Sequence, residues 1–102
     1  MGDKENKTVF VDAELEPIVP RFLELRYEDV ESIGKLLEIS DFESIKRIGH
    51  SMKGSGGGYG FDYISELGMK IERAAGSGDR EEVRSLASQL SSYIERVEVV
   101  YE

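Results

Sequence analysis

Between Asp41 and Gly58 the apolar and small positions recur with the period of a helix. With Phe42 as zero and an advance of about 100° per residue, Phe42, Ile45, Ile48, Gly49, Met52 and Gly56 fall between roughly 240° and 360°. That stripe predicts a buried face. His50 falls near 80°, about opposite the stripe's edge, with Lys46, Lys53, Gly54 and Gly57 on its side and Arg47 at the margin. The pattern therefore turns the chain's one histidine toward solvent, among positive charges and beside residues without side chains.

The flanking segments carry the same period. Leu15–Leu25 reads as a first helical stretch, with Pro17 and Pro20 suited to a first turn or a kink. Phe22, Val30, Ile33 and Leu37 share a face, so residues 18–38 form one bent helix or two short ones. Ser40-Asp41-Phe42-Glu43 reads as a capping box with Ser40 at the cap. The helix it opens is expected to fray or stop within Ser55–Gly58, because each interior glycine costs about 1 kcal/mol against alanine. Phe61, Ile64, Gly68, Ile71 and Ala75 mark the next helix, with Leu67 on its flank, and Gly76-Ser77-Gly78 ends it. Asp79-Arg80-Glu81-Glu82 caps a last helix that Val83, Leu86, Leu90, Tyr93 or Ile94, Val97 and Val100 carry almost to the end. Thr8-Val9-Phe10-Val11 is the one β-like run. It is read as part of a loose arm over residues 1–11 whose Val9 or Phe10 packs down. Residues 12–102 are then an all-α domain, an antiparallel up-down four-helix bundle with room for a short extra N-terminal helix.

Composition narrows the function classes. The chain has 102 residues, which allows one domain with one modest core. It holds no cysteine and one histidine, which argues against disulfides and structural zinc. No apolar run approaches the length of a membrane span, and no charged-then-apolar leader opens the chain, so the expected compartment is the cytoplasm. A net charge of −8 disfavours nucleic acid. The charge is uneven, however. Asp12–Glu31 holds seven acids and two arginines, whereas Asp41–Ser55 holds two acids beside Lys46, Arg47 and Lys53. A mostly acidic protein thus carries a basic spot around its histidine, suited to an acidic partner.

The five glycines between His50 and Phe61 invite a nucleotide reading, which fails. No Lys-Ser/Thr follows them as a phosphate-binding P-loop requires, and no strand precedes them. A Ser-His-Asp hydrolase would draw on Ser51 or Ser55, but nothing resembles a nucleophile elbow. Gly58 and Gly60 suit a tight turn. Gly54 and Gly57, one and two turns beyond His50, would instead bare the imidazole to a bulky partner. An exposed imidazole with an ordinary pKa of about 6.5 keeps an unprotonated nitrogen at neutral pH and can accept a phosphoryl group. Lys53 can then place an ammonium beside the phosphoryl oxygens.

The string His50-Ser-Met-Lys53-Gly54, five residues, then Gly60, with Ile64, Leu67, Ile71 and Glu72 following, resembles the histidine-containing phosphotransfer (HPt) domain family. The resemblance spans roughly Leu15 to Val97. Met52 stands where leucine is more usual, and the spacer is rich in glycine. The resemblance implies a phosphorelay carrier and not an autonomous kinase. His50 would take a phosphoryl group on Nε2 from a phospho-aspartyl receiver domain and pass it to another receiver's aspartate. Lys53 would steady the group, Gly54 and Gly57 would admit the partner, and Lys46 and Arg47 would aid docking. No cofactor is expected on this chain, and Mg²⁺ is expected on the receiver. Two alternatives keep the helical frame. One is the phosphoacceptor module of a chemotaxis-type histidine kinase, ranked second because the chain ends soon after the bundle. The other is a non-phosphorylated helical adaptor, which intact His50 and Lys53 disfavour.

Overall fold

A computed structural model of the chain describes residues 8–102. Four helices carry the fold: α1 (Val19–Glu38), α2 (Phe42–Gly58), α3 (Asp62–Gly76) and α4 (Arg80–Arg96). A 3-10 turn, Ala13–Leu15, precedes α1 and occupies the place of the short extra helix. Each helix packs on its neighbours in chain order, and α4 closes the ring against α1. The expected all-α bundle is therefore present. Its core is built by Phe22, Ile33, Leu37, Ile45, Met52, Phe61, Ile64, Leu67, Ile71, Val83, Leu86, Leu90 and Tyr93. Leu67, expected on the flank of its helix, is fully inside, whereas Val30 is half-buried.

Residues 19–38 form one helix because neither proline interrupts it. Pro17 precedes the cap residue Ile18, and Pro20 lies in the first turn, where an N–H has no helical partner to lose.

The three helix connections share one design. Helices α1, α2 and α3 end in Schellman motifs whose left-handed residues are Ser40 (φ 56°), Gly60 (φ 88°) and Gly78 (φ 67°). The following N–H closes the motif: Asp41 donates to the Leu36 carbonyl at 2.9 Å, Phe61 to Gly56 at 2.8 Å and Asp79 to Ala74 at 2.9 Å. That same residue then takes the N-cap position of the next helix, where Asp41 and Asp79 accept a backbone N–H with their side chains and Phe61 does not. With no linker between one helix's end and the next helix's start, successive helices must run antiparallel.

This design corrects the first capping assignment. Ser40 is consumed by the end of α1, and Asp41 caps α2 by accepting from the Ser44 N–H at 3.1 Å. Hydrogen bonds from the Ser44 hydroxyl and N–H hold the Asp41 carboxyl below its ordinary range. Ser40 adopts the left-handed conformation while Arg80 donates both to its hydroxyl and to the Leu37 carbonyl, joining α4 to the end of α1. Gly58 stays within α2, and only Gly60 makes the turn.

The ends of the chain differ from expectation. Thr8–Val11 is a strand, β1, paired in parallel with a second strand, β2 (Glu98–Tyr101), in the register Thr8↔Glu98 to Val11↔Tyr101. The last helix stops at Arg96, so Val97 and Val100 are not helical. Val97 and Val100 continue the 3.6 period of α4, but Val97, Val99 and Tyr101 fit a period of two, and β-branched residues favour the pleated form once a partner strand exists. Val9, Val11, Val99 and Tyr101 turn inward, and Thr8, Phe10, Glu98 and Val100 outward. Of the loose arm, residues 8–11 are thus an ordered strand, and residues 1–7 lie outside the described residues. No helix among the described residues is long and apolar enough to cross a membrane.

Candidate functional site

Helix α2 divides as its periodicity requires. Ile45, Gly49, Met52 and Gly56 are buried, and Lys46, Arg47, His50, Lys53, Gly54 and Gly57 form the exposed side. The His50 side chain is 69% exposed, so burial does little to hold its ring. A carboxylate does so instead: His50 Nδ1 lies 3.1 Å from Oε2 of Glu72 on α3. An ionised carboxylate only accepts hydrogen bonds, so the Nδ1 proton faces Glu72 and the lone pair of the neutral ring resides on Nε2. Nε2 has no hydrogen-bond partner among the described residues. The arrangement is a solvent-facing imidazole held from behind by a carboxylate.

Lys53 follows one turn after His50. Its side chain is exposed and makes no ion pair among the described residues, and the same holds for Lys46 and Arg47. The Lys53 backbone is tied to α3 through its carbonyl, which accepts from the Ser65 hydroxyl at 2.7 Å. A Cβ at Gly54 would meet nothing within 4 Å, and one at Gly57 only the Ser65 hydroxyl at 3.8 Å. Packing among the described residues therefore does not require glycine at either position. The six sequence-predicted site residues lie together on one face, with three cationic side chains beside an uncovered imidazole.

The inner glycines contrast with these. A Cβ at Gly49 would stand 2.7 Å from the Glu72 backbone nitrogen, and one at Gly56 would stand 2.7 Å from that of Ser65. One at Gly68 would stand 2.6 Å from the Lys53 nitrogen. The α2 and α3 backbones touch along this seam, which brings the Glu72 carboxylate within reach of a ring on the neighbouring helix.

Two groups of site residues were not singled out by spacing. Glu72 entered only as part of the family string, and Ser65 not at all. A signal for both exists. Gly49 opposite Glu72, Lys53 opposite Gly68 and Gly56 opposite Ser65 are each symmetric about the Gly60–Phe61 bond, as an antiparallel pair folded at Gly60 demands. The other group braces α2 from α1. Arg26 donates to Asp29 at 2.9 Å and to the Ser55 hydroxyl at 3.2 Å, and its guanidinium lies over the Phe22 ring. Burial pushes the Asp29 carboxyl above its ordinary range despite the opposing charge of Arg26.

A family model described as the Hpt domain matches residues 18–99, from the cap of α1 into β2. No curated protein and no solved structure matches the chain.

Proposed function

The chain belongs to the Hpt domain family, whose members are histidine phosphotransfer modules of phosphorelays, and on that premise we propose that His50 is the phosphoryl acceptor. The observation that carries the reading is the His50–Glu72 pair, which leaves Nε2 as the outward lone pair. The donor is a phospho-aspartyl receiver domain. Nε2 attacks the phosphorus of the acyl phosphate, the N–P bond forms, the P–O bond to the aspartyl carboxylate breaks, and the carboxylate leaves. Nδ1 keeps its proton throughout, and Glu72 offsets the positive charge that the ring acquires. Attack by another receiver's aspartate on the phosphohistidine reverses these steps.

Little else is asked of this chain, because phosphoryl transfer depends on positioning and charge stabilisation. Lys53 supplies an ammonium to the phosphoryl oxygens. Lys46 and Arg47 draw in an acidic partner, and Gly54 and Gly57 let it approach. The receiver brings Mg²⁺ and the remaining acidic groups.

Incubation with a ³²P-labelled phospho-receiver tests the reading. Wild-type protein is expected to take up acid-labile, base-stable label without ATP, and His50→Ala to fold normally and take up none. Label on His50→Ala would overturn the assignment. Label only in the presence of a kinase and ATP would move the chain to the chemotaxis-type alternative, and binding without transfer to an adaptor.

A further inference from the structure

We propose that Gly49 and Gly68 are positioning residues that set the tautomer of His50 by fixing the distance between the α2 and α3 backbones. The inference rests on the reading of His50 as the acceptor, but it concerns a different property of the ring. The contact is reciprocal. A Cβ at 49 would lie 2.7 Å from both the Glu72 nitrogen and the Gly68 carbonyl oxygen. A Cβ at 68 would lie 2.6 Å from the Lys53 nitrogen and 2.8 Å from the Gly49 carbonyl oxygen. These neighbours are backbone atoms, so no side chain can swing aside to admit a methyl group.

The distances make the consequence quantitative. Ordinary van der Waals contact for a Cβ begins at 3.4 Å, so relief of a 2.7 Å approach requires a separation of about 0.7 Å (3.4 less 2.7). The His50–Glu72 hydrogen bond stands at 3.1 Å, and with both side chains in their present rotamers a displacement of that size along it gives about 3.8 Å, beyond hydrogen-bond reach. The lever is short. Gly49 is bonded to His50, its clash falls on Glu72 itself, and Gly68 abuts the nitrogen of Lys53. Gly56 makes an equally close approach, but to Ser65, at the turn end of the seam. Two demands thus meet at one seam: the bundle's packing, and the geometry of the imidazole on its outside.

The test is imidazole ¹⁵N–¹H correlation spectroscopy on Gly49→Ala and Gly68→Ala. Glu72→Ala serves as the unheld reference, and Gly34→Ala, whose added methyl would meet nothing within 4 Å, as the control for a helix alanine. Wild type and Gly34→Ala are expected to show the Nδ1–H tautomer in excess. Folded Gly49→Ala or Gly68→Ala is expected to shift to the tautomer ratio of Glu72→Ala. Transfer from a phospho-receiver should slow by roughly three- to tenfold, the scale of one hydrogen bond. A wild-type tautomer ratio in either folded variant would overturn the proposal, and so would loss of the fold in both, which would assign the glycines to folding alone. The spectra need no phosphoryl donor. A wild-type protein that takes up no label while Gly49→Ala still loses its tautomer would defeat the acceptor reading and leave the positioning role standing.

Discussion

Gly54 and Gly56 stand two residues apart on α2 and face opposite surroundings. An added Cβ would meet nothing within 4 Å at the first and a backbone nitrogen at 2.7 Å at the second. The same residue type thus serves two purposes on one helix. Inside, at Gly49 and Gly56, its value is close approach, which compensates for a loss of helix propensity of about 1 kcal/mol per glycine. Outside, at Gly54 and Gly57, no close approach among the described residues repays that loss. The lesson is that a glycine-rich helix has to be read face by face: its inner glycines report on the neighbouring helix, and its outer ones are the positions that a test of partner approach should fill.

The comparison can be broken most sharply from the inside. Gly56→Val should destabilise the bundle by about 3 kcal/mol, since branched bulk must force two backbones apart. Urea denaturation measures the change, and an unaltered midpoint would show that the seam is not rigid. From the outside, Gly54→Leu should keep the circular dichroism of the fold yet lower receiver binding and transfer by about tenfold or more. Its companion Gly54→Ala should raise stability by up to about 1 kcal/mol. A Gly54→Leu protein that transfers at the normal rate would show that no partner covers this face. The smallest effect is expected where the two faces meet. Lys53 gives its backbone to the inner seam and its side chain to the outer one. Lys53→Ala should therefore leave the melting curve in place and slow single-turnover transfer by roughly three- to tenfold, a modest loss because the ammonium works in solvent. A lowered melt with an unchanged rate would assign the whole residue to the seam.

How far the sequence could be read follows from the range of the interactions concerned. The two faces of α2, the Asp79 cap and the turn glycines Gly60 and Gly78 depend on neighbours within a few residues, and local pattern reveals them. Glu72 depends on the register between two helices. It becomes visible only when residues are paired about the Gly60–Phe61 bond. Ser40 reads as a cap because serine is a common one, while its place here is the left-handed end of α1, held by Arg80 from far along the chain. The strand pair was the hardest to see. Its partners lie 90 positions apart (Thr8 and Glu98), and Val100 satisfies the helical period of Tyr93 and Val97 until β1 is at hand to pair with its segment.

That strand pair also gives the fold a mechanical character. Because β1 and β2 are parallel, the first residue of β1, Thr8, and the last of β2, Tyr101, lie at opposite ends of the ribbon. Tension applied along the chain at these two points would slide one strand past the other. It would load the ladder bonds together, along with the Ala13–Glu102 and Glu102–Val11 bonds that extend them, instead of opening them one at a time. The bundle that presents His50 is thereby fastened by a shear joint, and a pull on its ends would be resisted at the clasp before it reached the helices.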